Sequence, residues 1–135
     1  MLKKIAILFF SVFLICAIWI QTQKSVFSGF DGRITYYTES SSSNAKIVSH
    51  FASVLIFDLT GESIEIDGEV DLQNILDHFS AEVVFTESVE GGVGYYAYSD
   101  RIKYHTHMLG KTVNLHIYIK TGKTVMGAPI IFGSF

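Results

Sequence analysis

The chain of 135 residues has one cysteine, one proline and one tryptophan, and only 17% of its residues are charged. Cys16 lies inside an apolar run and has no second cysteine to pair with, so a disulfide framework and a multi-thiolate metal site are excluded. A basic excess is also missing. With Lys3 and Lys4 set apart, eight basic residues face thirteen acidic ones, a net charge of −5 with histidine neutral. That balance disfavours a nucleic-acid partner, which needs a basic footprint to neutralise phosphates.

The motifs of common catalytic sites are absent too. Ser49, Ser53, Ser63, Ser80, Ser88 and Ser99 have no glycine elbow around them. Gly91, Gly92 and Gly94 are followed by no Lys-Ser or Lys-Thr and read as turn residues rather than a phosphate cradle. His105 and His107 share a face if the backbone is extended, and His116 follows on a later strand. Zinc needs three or four converging ligands with a supporting shell, and neither a cysteine nor a helical His-Glu pair completes such a set. The pairs Glu87 with Glu90 and Glu62 with Glu65 are spaced as surface decoration. No catalytic residue, metal or cofactor is therefore assigned.

What the chain does have is a greasy start. Lys3 and Lys4 precede Ile5 to Ile20, which carry no charge, the form of an export signal. At about 1.5 Å per residue the run spans about 24 Å, slightly short of a hydrocarbon core of about 30 Å. Ile18, Trp19 and Ile20 leave no small-x-small cleavage site next to it, and the nearest acceptable one is Val26-Phe27-Ser28. An uncleaved anchor is the better fit and a removed signal peptide the alternative. If anchored, the two lysines stay cytoplasmic and the remainder lies outside.

Residues 25–44 read as a polar tether ending in Ser40 to Ser43. From there, Ile47, Val48, Phe51 and Leu55 recur at helical steps, predicting a helix over 45–57 capped by Ser43 or Asn44, with a buried strand in 53–58 as the competing possibility. Ser63 to Asp67 alternates as a strand. Asp71 caps a helix with Leu72, Ile75, Leu76 and Phe79 on one face, leaving His78 solvated. Strands follow at 81–86 and 93–99, with an edge segment at 102–105 and a turn at Gly110. Val113, Leu115, Ile117 and Ile119 then face one side while Asn114, His116, Tyr118 and Lys120 face the other. A last strand runs from Thr124 to Phe132, where Pro129 demands an edge or a bulge.

These elements predict an α+β two-layer sandwich, an antiparallel sheet of four to six strands with two helices on one face. Residues 1–24 are the signal peptide or anchor and 45–135 the globular domain. Tyr96 and Tyr98 share one strand face and, with His116 and Tyr118, could form an amphipathic surface for peptide or glycan. Cross-strand packing, which such pairs do routinely, is the simpler reading.

The blocks Ala81-Glu82-Val83-Val84, Tyr96-Ala97-Tyr98-Ser99, Gly110 to Ile117 and Val125-Met126-Gly127-Ala128-Pro129-Ile130-Ile131 together resemble the final half of the YwmB-like family, over residues 64–135. The resemblance implies an exported α+β envelope protein of Gram-positive bacteria, with no catalytic residues to carry over. The expected function is a non-enzymatic domain, membrane-attached through residues 5–20, that binds an envelope protein or cell-wall component. The alternative is a cell-wall hydrolase gathering His105, His107 and a carboxylate in a pocket.

Overall fold

A computed structural model describes residues 1–22, 24–38, 47–48 and 59–132. Helix α1 spans Leu2–Thr22. Its 21 residues extend for about 31 Å at about 1.5 Å each, so Leu2 to Lys4 and Gln21 to Thr22 supply the length that the uncharged run alone lacks. None of its stretch Leu2–Trp19 is buried, and by length and composition it is suited either to cross a membrane or to act as a signal sequence.

The remaining elements are β1 (Arg33–Tyr37), β2 (Ile47–Val48), β3 (Gly61–Asp67), α2 (Leu72–Phe79), β4 (Glu82–Val89), β5 (Gly92–Tyr98), β6 (Thr106–Met108), β7 (Lys111–Val113), β8 (Leu115–Lys120) and β9 (Lys123–Ala128). Seven strands pair antiparallel in the order β2-β1-β3-β9-β8-β5-β4, and β6 with β7 forms a separate hairpin. The fold is an α+β two-layer sandwich.

One layer is the sheet and the other is α2 with the chain that follows α1. Asp71 caps α2 by accepting from the Asn74 backbone at 3.0 Å, and Ser80 closes it in a left-handed conformation. Its buried residues, Ile75 and Phe79, meet Ile64, Ile66, Leu115, Ile117 and Met126 from the central strands. Burying such side chains contributes roughly 1.5–3 kcal/mol each.

Three expectations need correction. Residues 25–38 are not a tether, because Phe27 is wholly buried in the core and Arg33–Tyr37 pairs along β3. The apolar content of Phe27, Phe30 and Ile34 makes this stretch part of the second layer, and Phe27 packs edge-on against Phe79 at 5.9 Å. The helix predicted over 45–57 does not include Ile47–Val48, which pair with Tyr37 and Tyr36 as a short strand. Its other residues, the competing strand at 53–58 and the serine run lie outside the described residues. Pro129 sits at neither an edge nor a bulge. It ends β9, a central strand, immediately after Ala128.

The strand segment proposed at 102–105 falls just before β6. Leu115 and Ile117 face the helix, as the alternation implies, but His116 and Tyr118 on the opposite face are also buried. Gly127 explains part of that cover: a Cβ there would overlap the backbone of Ile130, so only glycine lets residues 129–132 fold back over the sheet.

Candidate functional site

The most concentrated chemistry lies where the chain leaves α1 and joins the body. Glu62, the second residue of β3, shares parity with Ile64 and Ile66, so its carboxyl group points into the helix-side layer and is only 2% exposed. Burying a carboxylate is costly unless its oxygens are satisfied. Oε2 accepts from the Ser25 hydroxyl at 2.7 Å and from the Val26 backbone N–H at 2.8 Å. Oε1 accepts from the Tyr104 hydroxyl at 3.1 Å.

Two tyrosines register that environment. Burial, then the charge of Glu62, raises the Tyr104 hydroxyl above the usual phenolic range. Tyr36 is raised by the same two causes in the same order, with a hydrogen bond to Ser25 opposing them. The arrangement is a clasp with a protonated Tyr104 as one donor, suited to holding residues 25–27 rather than to moving protons. Sequence reasoning missed it by grouping Glu62 with Glu65. The available signal was the parity that puts one carboxylate in line with two isoleucines. Glu65, one position off that line, lies on the opposite face, where a hydrogen bond from Lys123, with the charge of Arg33 added, holds its carboxyl below the usual range.

The four residues put forward for binding do not form an open face. Tyr96, His116 and Tyr118 are buried, and only Tyr98 is exposed, at 43%. Phe85, Tyr96 and His116 stack in succession, with centroids 4.4 and 4.1 Å apart. The Tyr96 hydroxyl donates to Glu87 at 3.1 Å, and burial followed by that hydrogen bond pushes it up to about 12. Tyr118 donates to the Glu90 carbonyl at 2.9 Å, tying the β4–β5 turn to the sheet. His116 accepts from the Ile131 N–H at Nδ1, 3.3 Å away, which requires a neutral ring, and burial pushes it down to about 4. These large rings cover apolar area despite their polar tips, so the packing alternative describes them.

His105 and His107 point to no shared centre. His105 lines a cavity of about 300 Å³ with Thr60, Tyr104, Pro129, Ile130 and Phe132 among others, and among the described residues no carboxylate is in that lining. His107 is exposed on β6 and shares a 3.2 Å hydrogen bond with Thr112. Among the described residues no three His, Cys, Asp or Glu side chains come together as a metal set. His78, exposed at the end of α2, stacks edge-on with Phe30 at 4.8 Å. Ser99 is structural: its hydroxyl donates to the Phe79 carbonyl, and its backbone is held at both ends by Asn114. Ser49, Ser53 and His50 lie outside the described residues.

No family model matches the chain, and no curated protein or solved structure matches it.

Proposed function

We propose that the chain is a non-enzymatic, membrane-anchored domain, held by an uncleaved α1 with its body on the outer side, where it engages an envelope component. One observation carries this: an apolar helix with no buried stretch is followed, within a few residues, by Ser25, Val26 and Phe27, which are built into the body. Removal of the leader after Ser28 would take away a core phenylalanine and two hydrogen bonds to a buried carboxylate. The folded body thus depends on chain that cleavage at that site discards.

Orientation follows from Lys3 and Lys4, which favour a cytoplasmic N-terminus. The resemblance to the YwmB-like envelope family agrees with this placement. The hydrolase alternative requires His105, His107 and a carboxylate in one pocket, whereas among the described residues His105 lines the cavity without His107 or a carboxylate. The proposal is tested by alkaline carbonate extraction of membranes, combined with added protease on intact cells. The expected result is a chain that resists extraction and loses its body to external protease. A chain released by carbonate, or fully protected outside, contradicts it.

A further inference from the structure

The hairpin β6–β7 carries an unusual tip. Leu109 and Gly110 both have positive φ, 51° and 73°, in the two-residue turn between Met108 and Lys111. Turns of this kind favour asparagine or aspartate followed by glycine, because a bulky side chain in the left-handed region is strained. Here a leucine occupies the first position and is 83% exposed. It thus combines an unfavourable backbone with apolar surface given to water, a pairing that points to a contact rather than to folding.

Its surroundings are distinctive in charge. Residues 101–112 contain Arg101, Lys103 and Lys111 and no aspartate or glutamate, within an acidic body. All three cations are exposed, and both ion pairs among the described residues fall on Glu65, elsewhere. Lys103 stands over the Tyr104 ring at 4.9 Å.

The register fixes where this hairpin lies. Glu62 pairs with Ala128, and Gly127 pairs with His116, so β3 begins, β9 ends and β8 begins at one end of the sheet. The hairpin precedes β8 by the single residue Asn114, and Tyr104, just before β6, reaches Glu62 itself. Glu62 is also where the chain arrives from α1 through Ser25 and Val26. The basic, leucine-tipped hairpin and the exit of the anchor therefore share one end of the molecule.

We infer that the β6–β7 hairpin is a second membrane contact: Leu109 enters the interface of the bilayer that holds α1, and Lys111 beside it and Lys103 on its approach meet anionic phospholipid headgroups. An exposed apolar tip with Lys111 beside it and Lys103 on the approach to the hairpin is the chemistry of interfacial attachment, and lysines near an anionic surface add to it. The inference rests on the anchored reading of α1. It gives the body a fixed face toward the membrane.

The test uses the full chain carrying Trp19→Phe and Leu109→Trp, reconstituted in vesicles of phosphatidylglycerol with brominated phosphatidylcholine. Flotation reports the anchor, and emission of the introduced tryptophan reports the hairpin. The expected result is flotation with blue-shifted emission quenched by the brominated chains. Adding Lys103→Glu and Lys111→Glu, or using brominated phosphatidylcholine alone, should return the emission to that of a water-exposed ring while flotation persists. A chain that floats with water-exposed emission in phosphatidylglycerol overturns the hairpin contact and leaves the anchor standing. Failure to float overturns both. Emission that shifts only in native membranes, not in protein-free vesicles, assigns the tip to a protein and overturns the lipid contact.

Discussion

Tyr104 donates its hydroxyl to Glu62 at 3.1 Å across 42 residues of sequence, joining the loop before the β6–β7 hairpin to the carboxylate that also grips the chain emerging from α1. Three segments meet at one buried side chain. The body, the exit from α1 and the hairpin therefore hold a common frame.

Glu62→Ala would leave the Val26 N–H and the Tyr104 hydroxyl without their acceptor. The expected loss is about 2–4 kcal/mol, each stranded buried group costing roughly 1–3 kcal/mol. Urea unfolding of the full chain in micelles measures it. Unchanged stability would show that water satisfies these groups and that the clasp holds nothing.

His116 gives the body a pH dependence of known sign. Its pKa falls from 6.5 to about 4 on folding, so the unfolded chain takes up a proton that the folded chain refuses as pH drops between these values. Stability should decline across that window, by at most about 3 kcal/mol at one unit per 1.36 kcal/mol. His116→Phe should flatten the slope in thermal melts recorded from pH 7 to pH 4. An identical slope in the variant would place the effect on other groups.

Asn114 is 1% exposed and accepts from the Ser99 N–H while donating to the carbonyls of Ser99 and Ile102. Asn114→Asp replaces the donor with an oxygen facing two carbonyl oxygens. A loss of about 2–4 kcal/mol is expected, larger at pH 8 than at pH 5, where a protonated carboxyl can still donate. Denaturation at the two pH values checks both size and direction.

Leu109→Asn should separate folding from docking. Asparagine tolerates a φ of 51° better than leucine does, so the body should gain roughly 0.5–1 kcal/mol while losing membrane contact at the tip. A variant less stable in detergent would mean that Leu109 packs rather than projects.

How much of this could be read in the sequence depends on the kind of pattern. The capped helix at Asp71 and the alternation through Leu115 and Ile117 were legible because local periodicity sets both. Residues 25–38 were not, since a stretch with scattered apolar residues looks like a linker until Phe27 is seen against Phe79. For Tyr96, His116 and Tyr118 the sequence leaves both a binding face and cross-strand packing open, because polar tips hide how much ring area a strand can bury. The role of Glu62 depends on partners on distant segments, which no local window contains.

The central claim, that α1 stays joined to a body which needs the residues just behind it, is tested most directly by mass spectrometry of the protein recovered from membranes of expressing cells. The account expects a chain that still carries α1 ahead of Ser25. A folded product free of the membrane and beginning at or beyond Gly29 would contradict it.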